Sequence, residues 1–156
     1  MRKVNELAVR FAVIGVGHIG RRHAHLILDN PDAELVALID NREGFLTEQD
    51  FGGIPRFESL EDFKLSEMQA DVLCVCTPNY LHHPHTLQAL AAGLHVVCEK
   101  PMALEAAHCH EMIAAANATD RHIFCVMQNR YSPPAVWLKQ VVESGVLGEL
   151  YHVQVN

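Results

Sequence analysis

The chain has 156 residues, 49% apolar and 20% charged, which is one ordinary domain able to bury about 70% of its unfolded surface without disulfides or metals. A formal charge of -7 with no basic run argues against nonspecific binding to nucleic acid or an anionic membrane. No apolar run approaches the ~20 residues that span a bilayer. Five cysteines, an odd number, sit mostly in or beside apolar runs, the pattern of buried thiols in a reducing compartment. Glu6 and Arg10 interrupt the apolar character of the first residues, so no signal peptide is read there. A cytoplasmic protein is expected.

Residues 1–8 form a lead-in. FAVIGVGHIG (11–20) then joins a branched apolar strand, glycines at 15, 17 and 20, and a helix over Ile19 to Leu28 that stops before Asn30-Pro31. Strand, tight turn and helix start are what a dinucleotide-binding unit requires. Gly15 permits the turn, Gly17 offers no Cβ to an approaching pyrophosphate, and Gly20 lets helix and strand lie close. The phosphates would meet free N–H groups at the helix start. A plain glycine turn gives the same letters. Asp40 weighs against that reading because it ends a second strand, Glu34 to Ile39, 20 residues past Gly20. A carboxylate there accepts the adenosine ribose hydroxyls and repels a 2′-phosphate, favouring NAD over NADP. Arg42 keeps NADP open.

Asn41 to Phe51 has room for a short helix, closed by Gly52-Gly53 and Pro55. Arg56-Phe57 reads as a brief strand. Ser59 with Asp62 reads as the cap of a helix ending near Met68. Asp71 to Cys76 is a near-continuous apolar strand of the kind covered on both faces, and Thr77-Pro78-Asn79 ends it. His82 to Ala92 is helical and Gly93 stops it. His95 to Cys98 is a strand closed by Glu99-Lys100-Pro101, Leu104 to Asn117 a helix, and His122 to Met127 a strand. Gln128 to Tyr131, a helix from Pro133 to Ser144, and an alternating strand from Glu149 to Val155 complete the chain. Alternating strands and helices predict an α/β fold with a doubly wound parallel sheet, in which ligands bind beyond the strand carboxyl ends. The breaks at 77–79, 99–101 and 128–131 should converge there.

GVGHIG, CTPNYLHHPHTLQALAAGLHVVCEKPMAL and QNRYSPPAVWLKQVVESGVLGELYHVQVN together resemble the NAD(P)-dependent oxidoreductases that include glucose-fructose oxidoreductase and inositol 2-dehydrogenase. The resemblance covers nearly the whole chain, and TPN followed by EKP at this spacing is far more specific than glycines alone. It implies a Rossmann domain over residues 1–128, with 129–156 a linker helix and the first strand of a further domain. It implies that Gly15, Gly17, His18, Ile19 and Gly20 meet the phosphates and Asp40, with Asn41, the adenosine ribose. Cys76, Thr77, Pro78, Asn79 and His82 would line the nicotinamide half, Glu99 would hold the second ribose, and Gln128 would complete the cofactor contacts. Arg130 and Tyr131 would lie near a sugar or polyol substrate, or Arg130 would bridge to a second domain. Relatives of this kind are expected as homo-oligomers.

The resemblance makes Lys100 the catalytic lysine. A lysine between a buried strand and a proline at a cleft mouth can lose part of its hydration, which disfavours its charge and suits it to relay an alcohol proton. The alternative is a lysine that pairs with a phosphate or with Glu99. Pro101 is expected after a constrained, cis peptide bond on the resemblance alone. Cys98, beside Lys100, is either a reactive thiol or, as its strand position favours, a packed one.

The 11 histidines include His23-x-His25, His82-His83-x-His85 and His108-x-His110. Helical positions two apart point in different directions, and His82 with His85 lacks a third ligand nearby, so no metal is expected. The family's Asp-x-x-x-His pair does not occur in the chain, so the expectation is a first domain that binds NAD and does not turn over substrate alone. Among family substrates the 128–134 stretch leans toward UDP-sugar 3-dehydrogenases, with a free polyol as the rival. A noncatalytic NAD-binding module is the reading from another class.

Overall fold

The computed structural model describes residues 8–42 and 51–154. The chain divides into two units, Met1–Val126 and Met127–Asn156.

In the first unit, six strands form one parallel sheet: β1 (Val9–Ile14), β2 (Ala33–Ile39), β3 (Arg56–Phe57), β4 (Val72–Val75), β5 (His95–Cys98) and β6 (Ile123–Cys125). Their spatial order is β3-β2-β1-β4-β5-β6, each pair parallel. The chain thus winds outward from β1 to β3 and restarts at β4 on the other side of β1, which puts the reversal between β1 and β4. That is where a doubly wound sheet opens a crevice.

The helices are α1 (His18–Asp29), α2 (Leu60–Leu65), α3 (His82–Ala91) and α4 (Ala106–Thr119). Successive residues of β1 face opposite ways, as strand geometry demands. Ala12 and Ile14 pack with Leu60, Phe63, Ala89, Leu90, Met112 and Ala116 of α2, α3 and α4. Val13 packs with Ala24 and Ile27 of α1. Both faces are covered, which explains why β4 is apolar at every position, each of its residues being buried.

Most expected elements stand within two residues of their predicted bounds. Ser59 caps α2 as read, its Oγ accepting the Asp62 N–H at 3.1 Å. The helix stops at Leu65 rather than near Met68, because Ser66 turns its hydroxyl back on the Phe63 carbonyl at 2.6 Å and Glu67 takes a positive φ of 61°. The helix contemplated within Asn41 to Phe51 falls mainly on residues 43–50, outside the described residues.

The second unit holds a 3₁₀ turn, Gln128–Tyr131, and α5 (Pro133–Glu143), which opens on Pro133. The strand expected from Glu149 to Val155 is not formed over residues 149–154. Alternation alone does not make a strand; a neighbour must take its backbone hydrogen bonds, and these residues have no such ladder.

Among the described residues no helix is long and apolar enough to cross a membrane, and none group three or more His, Cys, Asp or Glu so as to hold a metal ion.

Candidate dinucleotide-binding site

The turn after β1 is shaped by two glycines that nothing larger could replace. Gly15 has φ +83°, and a Cβ on it would lie 2.6 Å from the Thr77 nitrogen and 2.8 Å from the Cys76 carbonyl carbon. A Cβ on Gly20 would run into the Gly15 carbonyl oxygen. The glycine turn is therefore wedged against the end of β4 on one side and against α1 on the other. Gly17 differs: a Cβ there would meet only the Arg42 guanidinium, at 4.0 Å. It stands at the N-cap of α1, where no side chain caps the helix and no acidic residue occupies the first turn. The first-turn N–H groups of α1 and its positive dipole end are left to an anion.

Asp40, just past β2, closes the turn from the other side. Its Oδ2 accepts the Val16 N–H at 2.8 Å, and its Oδ1 accepts the Arg42 N–H at 3.1 Å. The Arg42 guanidinium straddles the same carboxylate at 2.8 and 2.6 Å. Burial pushes this carboxyl up, but the hydrogen bonds from the Arg42 side chain and from the Val16 and Arg42 backbones outweigh it, so its pKa stands below the usual carboxylate value.

These groups open on a cleft of about 910 Å³ along the carboxyl ends of β1, β2 and β4. Of the expected cofactor residues, Gly17, His18, Ile19, Asp40, Asn41, Cys76, Thr77 and Pro78 line it. Gly15 and Gly20 shape it from behind. Arg42, Ser59, Tyr80 and His85 line it too; the sequence points to Arg42 as a cofactor residue, but carries no such signal for Ser59, Tyr80 or His85. His85 donates or accepts at the Thr77 hydroxyl over 3.1 Å, and burial, with His82 adding to it, lowers its pKa.

The other expected residues stand elsewhere. His82 does not line the cleft: it is 1% exposed, and both its ring nitrogens face backbone carbonyls, Nδ1 to Pro101 at 2.7 Å and Nε2 to Thr77 at 2.9 Å. Nothing is left on the ring for a nicotinamide. The Glu99 carboxylate, 7% exposed, pairs with His23 Nε2 of α1 at 2.9 Å and accepts the Lys100 N–H at 3.2 Å. Lys100 is exposed, so this unit does not supply the desolvation expected around it. The Lys100-Pro101 peptide bond is cis. Asn79 begins the 3₁₀ turn before α3 and is exposed. Gln128, Arg130 and Tyr131 belong to the second unit, in its exposed 3₁₀ turn.

All five thiols are free. Burial pushes Cys98 and Cys74 up to about 12 and raises Cys76 as well. Cys98, wholly buried, is therefore a packed thiol, and the neighbouring Lys100 does not activate it.

Residues 9–127 match the family described as an oxidoreductase family with an NAD-binding Rossmann fold. The chain belongs to this family. Among the family's members, the D-glucoside 3-dehydrogenase of Escherichia coli (strain K12) is 34% identical over 146 residues, covering 92% of this chain and 41% of that protein. The myo-inositol 2-dehydrogenase of Thermotoga maritima is 29% identical over 149 residues, covering 95% of this chain and 45% of its own length. The structure of the WlbA dehydrogenase from Bordetella pertussis, in complex with NADH and UDP-GlcNAcA, superposes with a TM-score of 0.86 at 33% identity, covering 92% of this chain and 44% of that one. The chain thus spans about two-fifths of the length of the first relatives it matches. The resemblance read from the TPN and EKP segments is borne out.

Proposed function

We propose that this chain is the NAD-binding part of a cytoplasmic oxidoreductase that moves a hydride between a sugar or polyol CH–OH and the nicotinamide, with a UDP-linked sugar oxidised at C3 as the favoured substrate. The observation that carries the reading is the single cleft in which an uncapped helix start, a glycine without steric neighbours and a carboxylate at the end of β2 stand together. The residues fit the cofactor: Gly17 with the N–H groups of His18 and Ile19 would hold the diphosphate, and Asp40 the adenosine ribose, its charge disfavouring a 2′-phosphate. The substrate class is supported by the D-glucoside, inositol and UDP-sugar dehydrogenases that the chain resembles.

When bound, NAD supplies the two-electron acceptor for the substrate hydride. Lys100, exposed at the carboxyl end of β5, would meet the substrate hydroxyl and take or return its proton. Glu99, held by His23, accepts the Lys100 backbone N–H and so fixes the start of the turn that carries the amine. By the family resemblance, Arg130 and Tyr131 are the further candidates for substrate contact, with the domain boundary near residue 128. A reducing compartment suits the five free thiols.

The test is a fluorescence titration of the chain with NADH and with NADPH. NADH should bind at least tenfold more tightly, and Asp40→Ala should weaken NADH by about tenfold, the scale of a hydrogen bond to a charged group, and weaken NADPH by less, through the loosened turn alone. Equal affinity of the unaltered chain for both overturns the cofactor assignment. Tight NADH binding with no turnover of any sugar by the complete protein would reassign it as a noncatalytic NAD-binding module.

A further inference from the structure

His82 is the first residue of α3 and one of the most deeply buried polar side chains of the protein, 1% exposed. A buried polar ring costs stability unless its polar atoms are paired. Here the two partners lie on different segments. Nδ1 lies 2.7 Å from the Pro101 carbonyl oxygen, in the turn after β5, and Nε2 lies 2.9 Å from the Thr77 carbonyl oxygen, in the turn after β4. A carbonyl oxygen only accepts, so each of these hydrogen bonds requires a hydrogen on the ring nitrogen that makes it. Both exist together only when both nitrogens donate.

We infer that His82 is a positioning residue: a double donor that ties the turn carrying Thr77 to the turn carrying Lys100 and so sets the distance between the cleft and the catalytic amine. The imidazole suits this task because its two N–H groups leave opposite edges of one rigid plane. An amide side chain presents both its N–H groups from a single nitrogen and reaches one carbonyl well. His85, a turn further along α3, holds the Thr77 hydroxyl at 3.1 Å, so Thr77 is fixed at its backbone by one histidine and at its side chain by another. On the facing side, α4 offers His108 and Glu111 to His83 rather than to His82. The assignment of Lys100 as the reacting amine rests on the function proposed above. The double tie itself does not.

The experiment has two arms. In the ¹⁵N-labelled chain, long-range ¹H–¹⁵N correlation at pH 7 should show a hydrogen on both ring nitrogens of His82; one bare nitrogen overturns the inference. His82→Leu removes both donors and His82→Gln keeps one contact. Backbone amide shifts in the Leu variant should concentrate in residues 77–79 and 99–102 together, with NADH affinity falling about tenfold, and the Gln variant should restore one turn and part of the affinity. Shifts confined to a single turn, or an unchanged affinity, overturn it. If the variants do not fold, the ring measurement on the unaltered chain decides alone. If the unaltered chain fails to bind NADH, the proposed function falls while the ring measurement and the amide shifts still judge the tie.

Discussion

Gly15 and Gly17 are two residues apart and do different work, and single methyl groups separate the roles. Gly15→Ala places a Cβ within 2.8 Å of the backbone at the end of β4 and demands φ +83° of an alanine. The expected loss is about 2–4 kcal/mol of stability, from left-handed strain plus overpacking, read as a lower urea midpoint. Gly17→Ala meets nothing closer than 4.0 Å, so stability should stay within about 0.5 kcal/mol while NADH binding weakens at least tenfold, since the methyl occupies the phosphate approach. If Gly17→Ala binds NADH as tightly as the unaltered chain, the diphosphate does not lie on that turn. Gly15, Gly17 and Asp40 were legible in the sequence because their spacing reports one local unit of strand, turn and helix. Ser59 and His85 were not, because they reach the cleft only when α2 and α3 pack on the sheet, and no short-range pattern records that. The burial of His82 was missed for the same reason: its partners lie 5 and 19 residues away, in separate turns.

Among the elements, the smallest helix depends on one side chain. Ser59 satisfies the Asp62 N–H at the start of the six-residue α2, and Ser59→Ala should cost about 1 kcal/mol, measured by urea unfolding. The amino ends of β1 and β4 are joined by charge: Arg10 Nη2 and Nε reach Asp71 at 2.7 and 3.1 Å, and the Arg10 N–H adds a bond of 2.8 Å. The Arg10 side chain, ahead of the smaller effect of burial, holds the Asp71 carboxyl below its ordinary value. A carboxyl depressed in the folded state stabilises above its unfolded pKa, ~3.9, and that contribution fades as pH falls through the folded value. Urea midpoints measured between pH 7 and pH 3 should therefore drop more steeply in the unaltered chain than in Asp71→Asn, which starts lower at pH 7. Parallel curves would mean that this pair does not couple stability to acid. Element types were readable from periodicity and breakers, as β4 and α3 show. Strand status for residues 149–154 was not, since it depends on a neighbour that the alternating pattern does not specify.

For the molecule as a whole, the sheet order places the reversal of winding between β1 and β4, and the glycine turn, Asp40 and Thr77 all stand at that edge. A ligand bound there holds together segments from four parts of the first unit, and it does so only when they are folded. NADH at 100 times its dissociation constant should raise stability by about 2.7 kcal/mol, a rise in melting temperature of roughly 5–10 °C for a chain of this size. Calorimetry with and without NADH checks this, and no shift at saturating NADH would contradict a site at this edge. The fold class was visible from the alternation of strands and helices. The tie between the turns after β4 and β5 is not written in that alternation, because it depends on a side chain of α3 that reaches both.

The Asp40 carboxylate has one further consequence. The atoms expected to greet the adenosine ribose already fasten the Val16 amide and the Arg42 guanidinium. Recognition and architecture are thus invested in the same two oxygens, and swapping this residue to admit a different coenzyme would also loosen the loop that receives it. Any engineered switch of preference would need a second substitution to re-anchor position 16, and a lone change at 40 should yield a poorer binder of both coenzymes before it yields a selective one.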